Sequence, residues 1–450
     1  MTCPLGLVFT SRLRAVTFDL WDTVFIDDGD EPTMKMRMSG HRSWAPKAAT
    51  RAAPTSVAEG PHMFEEISTF SFPTRIHFGC GAVKQLAAYL KETGVHKPLV
   101  VTDPGLRATP VLNSVVSVLK EAQIPHEVFP DVHGNPIEED VLGAAALYRL
   151  AGCDGAIGLG GGSSLDVSKA AVVMARYDGA LIELEWQAGG TEKMVGPYDP
   201  IIAIPTTAGT GSEVGRSSVI TSHKLGRKII IFSPWLMPKR AILDPELTVG
   251  LPPFLTAATG MDAFTHCLES LTCPVFHPIC DAIAIHGLEL VIRYLERATR
   301  NGQDLEARGY MQVAASMGAI AFQKDLGATH SLAHPLSTEF GLNHGLANAL
   351  CLPAVMRFNL EAAAPHYARL AALFGVTARP MTEREAASRA VQEVESMLDR
   401  LGITRGLRHH GVPRESLGPL SPKAFEDSCH KTNIRPCTQD DLMRLYEESW

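Results

Sequence analysis

The feature that most constrains this chain is a change of period. From Phe64 to about Pro245 short apolar runs alternate with amphipathic stretches, and beyond Pro245 only helical spacing continues. In the first part Pro98–Thr102, His126–Phe129, Gly155–Leu159 and Ile201–Pro205 read as buried strands. Between and around them Gln85–Lys91, Leu112–Ala122, Pro136–Ala151 and Leu165–Ala175 read as helices. Strands separated by helices of about 10–15 residues close into a mostly parallel, doubly wound sheet, with ligands expected at the carboxyl ends of the strands. In the second part Thr256–Thr272, Cys280–Arg300, Leu305–Ala321, Gly345–Asn359, Ala362–Leu373, Met381–Leu401 and Asp440–Glu448 read as helices, several bounded by Gly or Pro. The expectation is an α/β domain over 64–245 followed by an all-α domain over 246–450.

Residues 1–63 are different in kind. Val16, Thr17 and Phe18 are β-formers, but Met34–Gly60 shows neither a strand nor a helix period, so the piece reads as a poorly ordered extension. The chain carries 41 basic against 49 acidic side chains, a net charge of −8, which gives no cationic face for nucleic acid. Its longest apolar stretches, such as Val111–Leu119 and Ala144–Leu150, fall far short of the ~18–20 residues a bilayer requires. Nine scattered cysteines, an odd number without a Cys-x-x-Cys pair or a secretory leader, point to a reducing compartment, with the cytoplasm as the expected location.

Three constellations carry chemistry. Gly160–Gly161–Gly162–Ser163–Ser164–Leu165–Asp166 leaves a strand and opens a helix, where bare amides and the helix dipole suit a pyrophosphate. Pro205–Thr206–Thr207–Ala208–Gly209–Thr210–Gly211–Ser212 follows a second strand with hydroxyls interleaved among glycines, suited to phosphate, ribose or amide. Asp262 and His266 stand four apart in a helical stretch, His330 and His334 repeat that spacing, and His344 follows in a Gly-bounded loop. One carboxylate with two or three imidazoles suits a divalent transition metal, Fe2+ or Zn2+.

The segments TRIHFGCGAV, VVTDPGL, GLGGGSSLDVSKA, AIPTTAGTGSEV, AILDPELT, LTAATGMDAFTHCLE and HSLAHPL…NHGLANALCLP resemble, in order and spacing, the iron-containing (group III) alcohol dehydrogenase family, strongly from about Phe70 to Asn359. The resemblance implies a Rossmann-like domain followed by a helical one, and hydride transfer between a small alcohol or aldehyde and nicotinamide. It implies Asp262, His266, His330 and His344 as metal ligands, with His334 beside nicotinamide and substrate as a proton carrier. Asp103 would meet the adenosine ribose, favouring NAD over NADP. Gly160, Gly161, Gly162, Ser163 and Asp166 of the glycine turn, Thr206, Thr207 and Thr210 of the hydroxyl loop, and Asn135 and Lys228 would line the dinucleotide. A metal of this kind acidifies a substrate hydroxyl. Relatives assemble as dimers or larger, so a homo-oligomer is expected.

Two features depart from that pattern. Phe18–Val24 looks like the first motif of haloacid-dehalogenase-like phosphatases, but Trp21 stands where the acid should be and the later motifs have no room, so no phosphatase activity is expected. Lys324, just before His330, is either a solvated surface lysine or a group that attracts an anionic substrate. Two other functions remain open: a dehydroquinate-synthase-like lyase, which would need a basic cluster near the His motifs, and an inactive metal- or nucleotide-binding scaffold.

Overall fold

A computed structural model describes residues 16–17, 72, 74–376 and 380–450. The phosphatase-like motif and the linker-like stretch lie outside the described residues. The strands are β1 (Val16–Thr17), β2 (Arg75–Phe78), β3 (Pro98–Val101), β4 (Glu127–Phe129), β5 (Gly155–Gly160), β6 (Ile201–Pro205), β7 (Ser217–Ser222), β8 (Arg227–Phe232) and β9 (Arg240–Leu243). Seven form one sheet in the order β1-β2-β9-β6-β5-β3-β4, parallel throughout except where β1 pairs antiparallel with β2. The hairpin β7–β8 stands apart as a two-stranded antiparallel sheet.

Helices α1 (Leu86–Thr93), α2 (Pro104–Arg107), α3 (Pro110–Glu121), α4 (Glu138–Ala151) and α5 (Gly162–Met174) alternate with these strands. Successive strand residues serve opposite layers, since period two sends neighbours to opposite faces. Leu99, Val101 and Ala156 join the core under α4 and α5, while Val100, Ile157, Leu159 and Ile204 join the core under α1 and α3. Burial on both faces is why these strands are continuous apolar runs.

The second half is helical: α6 (Pro253–Thr272), α7 (Pro278–Arg300), α8 (Leu305–Ala321), α9 (Ala328–Phe340), α10 (His344–Asn359), α11 (Ala364–Leu373), α12 (Glu383–Arg400), α13 (Leu417–Glu426) and α14 (Gln439–Ser449). Helix α6 runs through its centre, buried at nearly every position from Thr256 to Thr272, and a single apolar core surrounds it. Strands β2, β7, β8 and β9 and helices α2, α9 and α13 are additional to those read from periodicity. β2 and β9 are only four residues long, β7 is rich in Ser and Thr, and α9 and α13 each contain an internal proline that interrupts the apolar spacing. Among the described residues no helix is long and apolar enough to cross a membrane.

Candidate metal and dinucleotide site

Strands β6, β5 and β3 are neighbours in the sheet, so their carboxyl ends bring together Thr206–Thr210, Gly160–Ser163 and Asp103. Asp103 caps α2 by accepting from the Leu106 amide at 3.0 Å. Gly160 leaves β5 at φ +146°, a conformation that glycine supplies at no steric cost, and a Cβ there would stand 3.1 Å from Asp103 Oδ2. Thr207 lies against Gly161 and Thr210 against Gly162. No side chain caps the start of α5 and its first turn carries no acid, which leaves the field of that amide end to an anion. Ser163 Oγ donates to Gly134 O at 2.6 Å, and the next residue, Asn135, points its amide at Ser337 O of α9, 3.5 Å away.

Asp166 is placed differently from the expectation. Its oxygens accept from Ser212 Oγ at 2.5 Å and from the Val219 amide at 2.9 Å, with the Lys169 ammonium 3.6 Å away. Both oxygens are taken by the loop and strand behind the turn, so this carboxylate joins α5 to the hydroxyl loop and β7. Burial pushes its carboxyl up despite those donors.

At the helical end Asp262 and His266 lie one turn apart on α6, His330 on α9, and His344 begins α10. A Cβ on Gly345 would sit 2.1 Å from Ala258 O, so only glycine lets α10 start against α6 and carry His344 to Asp262. From Asp262 Oδ1 the Nε2 atoms of His266, His330 and His344 stand at 3.8, 3.9 and 3.6 Å. One ligand atom from each residue lies within 4.8 Å of the others. These separations are too long for hydrogen bonds, and bonds of ~2.0–2.2 Å to a shared ion would set tetrahedral edges of about 3.4 Å. Burial pushes the His266 imidazole down to about 4 and holds that of His344 well below its ordinary range, so both present lone pairs. Donor chemistry and spacing both fit a divalent transition metal.

Three residues that the motif reading missed hold this set in place. Glu269 Oε2 bonds His330 Nδ1 at 2.6 Å; burial opposes the charge on His330, but this carboxylate outweighs it and moves the imidazole up. Asn348 directs its amide at Asp262 Oδ1, 2.8 Å away. Asp427 Oδ2 bonds His334 Nδ1 at 2.7 Å, while its Oδ1 accepts from Ser331 Oγ at 2.7 Å and the Cys429 amide at 2.9 Å. Although burial disfavours its charge, those partners hold the Asp427 carboxyl well below the usual range. Glu269 follows Asp262 by seven residues and Asn348 follows His344 by four, so the helical period signals both. Asp427 has no such signal.

His334 stacks on His344 with ring centroids 5.2 Å apart and, with Lys228, Ile230, Thr338, Lys423 and Asp427, lines the cleft between β8 and helices α9 and α13. Lys324 is elsewhere: 3% exposed, it pairs with Asp281 at 2.5 Å and offers no charge to a substrate.

Fold and site together define a chain in which the hydroxyl loop of a dinucleotide-type sheet end packs, at Gly209, against Thr259 of α6, the helix that carries Asp262 and His266 of the metal-competent centre. The model of the iron-containing alcohol dehydrogenase family matches residues 73–245, and that of the C-terminal part of the same family matches 256–450. The chain is 43% identical over 385 residues to a 4-hydroxybutyrate dehydrogenase of Cupriavidus necator, covering 84% of this chain and 98% of that protein. It is 34% identical to an NAD-dependent methanol dehydrogenase of Bacillus methanolicus, covering 85% and 100%. A solved 1,3-propanediol oxidoreductase superposes with a TM-score of 0.81 at 33% identity, over 85% of this chain and all of that one. The chain belongs to the iron-containing alcohol dehydrogenase family. It is therefore a metal-dependent oxidoreductase with NAD and iron as cofactors, which decides against the lyase.

Proposed function

We propose that this dehydrogenase acts on short, unbranched primary alcohols, passing hydride from the carbinol carbon to NAD and, in reverse, from NADH to the aldehyde. The observation that carries the reading is the convergence of Asp262, His266, His330 and His344 beside the cleft lined by His334 and Lys228. The three relatives reported above are named for 4-hydroxybutyrate, methanol and 1,3-propanediol, all primary alcohols.

In this reading residues 246–450 hold the metal and residues 64–245 the dinucleotide. A cation bound by the four side chains supplies Lewis acidity that lowers the pKa of a substrate hydroxyl. Gly160–Ser163 and Thr206, Thr207 and Thr210 hold the diphosphate and ribose by amides and hydroxyls, and Lys228 adds a positive charge beside them. Asp427 holds His334 through Nδ1, which leaves Nε2 to take the hydroxyl proton and pass it to solvent.

The test is NAD reduction with 4-hydroxybutyrate, 1,3-propanediol, methanol and a branched secondary alcohol, before and after chelation and again after Fe2+ or Zn2+ is restored. Primary alcohols are expected to exceed the secondary one by at least about 10-fold in kcat/KM, since a crowded carbinol carbon loses contacts rather than gaining them. Activity indifferent to chelation would remove the reading. We also place the chain in the cytoplasm as at least a dimer. The free state of all eight described cysteines supports the first and the family likeness the second, with light scattering as the check.

A further inference from the structure

Helix α6 presents a third group on the face that carries Asp262 and His266. Glu269 is 5% exposed, and among the described residues no Lys or Arg pairs with it. Its carboxylate accepts from His330 Nδ1 at 2.6 Å, from the Thr329 amide at 2.7 Å and from the Gly327 amide at 3.1 Å. Those two amides begin α9, the helix that carries His330 and His334. One carboxylate thus sets both the ring plane of His330 and the position of the helix behind it. A buried negative charge without a Lys or Arg beside it is costly, and here the compensation runs through His330, whose Nδ1 bonds the carboxylate and whose Nε2 faces Asp262 and His344. Asp262 supplies one negative charge toward a bound dication, and Glu269 supplies a second from behind His330. Asn348 does for Asp262 what Glu269 does for His330, donating to the oxygen that faces the three imidazoles.

We propose that Glu269 is a positioning residue of the metal centre, orienting His330 through Nδ1 and supplying the second negative charge that holds a divalent cation there, with Asn348 fixing Asp262 in the same outer layer. This rests on the reading of the four inner residues as the metal site. Outer partners of this kind typically change metal affinity 10–100-fold.

The experiment strips the protein by chelation and titrates it with Co2+ and Zn2+ against a chromogenic competitor, following the Co2+ visible spectrum. The unaltered chain is expected to bind one ion and Asp262→Ala none. Glu269→Gln, which keeps the shape and removes the charge, is expected to bind about 10–100-fold more weakly with a displaced Co2+ band, and Glu269→Asp to recover part of the loss. In a cycle with His330→Ala, Glu269→Gln is expected to cost less than it does in the unaltered chain, because its orienting part is lost with that ring and only its charge part remains. Unaltered affinity and spectrum in Glu269→Gln would overturn the positioning role and leave the metal site standing. Absence of binding by the unaltered chain would overturn the site and this inference together. Should Glu269→Gln fail to fold, Asn348→Ala decides, since it leaves the start of α9 untouched: affinity about 10-fold weaker supports the outer layer, and unchanged affinity overturns it.

Discussion

At the carboxyl edge of the sheet, Gly160–Ser163 and Thr206–Thr210 come from hydrogen-bonded neighbours, β5 and β6, and most of what they offer is amide or small hydroxyl. At the helical end, Asp262, His266, His330 and His344 come from three separate helices and offer only side chains. The first end is made of backbone and empty space, so it is sensitive to added atoms. The second is made of side-chain donors, so it is sensitive to removed ones.

Removal at the helical end should have the largest effect. Asp262→Ala takes away the single carboxylate among the four donors, and the expected outcome is loss of bound metal with kcat/KM lower by at least about 10^3-fold. Metal analysis beside NADH kinetics checks it; full metal occupancy in the variant would break the distinction between the two ends. Addition at the sheet end comes next. A Cβ on Gly162 would lie 2.6 Å from Thr210 Cγ2 and 2.9 Å from its Oγ1, so Gly162→Val pushes the two turns apart. A rise of about 10–100-fold in KM for NAD is expected with metal content unchanged, since only cofactor binding is touched. Loss of metal in Gly162→Val would show that the two ends are not separable.

The same contrast explains what could be read from the chain. Strands β3, β5 and β6 are legible because burial on both faces makes them continuous apolar runs, and the ligand turns follow them directly in sequence. The metal residues are legible only as local pairs at helical spacing. That His344 closes on Asp262 depends on Gly345 meeting Ala258, a long-range contact that no local period encodes. Glu269 and Asn348 lie on periods that could have been followed one turn further. Asp427 comes from the loop after α13, brought to His334 by tertiary packing alone, and the bonds of Asp166 to Ser212 and Val219 likewise depend on contacts that no local period encodes.

Lys228 tests the border between the two ends, because it stands on β8 of the sheet half yet feels Asp262, Asp166 and Asp427. Burial pushes its ammonium down to about 8, against the pull of those carboxylates. The charge is thus present below about pH 8 and lost as the pH rises through that value. An anionic dinucleotide should therefore bind more weakly on the alkaline side, with kcat/KM for NAD falling above about pH 8 in the free enzyme. Lys228→Met should raise KM for NAD by about 10-fold at pH 7 and flatten that alkaline limb. A limb that persists in the variant would assign it to another group.

The smallest expected effect concerns a backbone demand that the two ends meet with different residues. At the sheet end the positive-φ positions are both glycines, Gly160 at φ +146° and Gly211 at φ +61°. At the approach to α9 it is Asp325, at φ 86° and ψ −175°, a region that residues with a Cβ enter at about 1–3 kcal/mol. Its carboxylate recovers part of this by accepting from the Leu326 amide at 3.0 Å. Replacing it by glycine removes the strain, forfeits that hydrogen bond, and adds about 0.5–1 kcal/mol of chain entropy to be lost on folding. The strain relieved is nearly offset by the lost hydrogen bond and the added chain entropy, about 1–2.5 kcal/mol together, so Asp325→Gly should leave Tm within about 1 °C with metal content and KM unchanged. A lower Tm would mean that the Asp325 carboxylate contributes more to the start of α9 than its backbone conformation costs, and that this end of the cleft depends on side chains even where the sheet end depends on glycine.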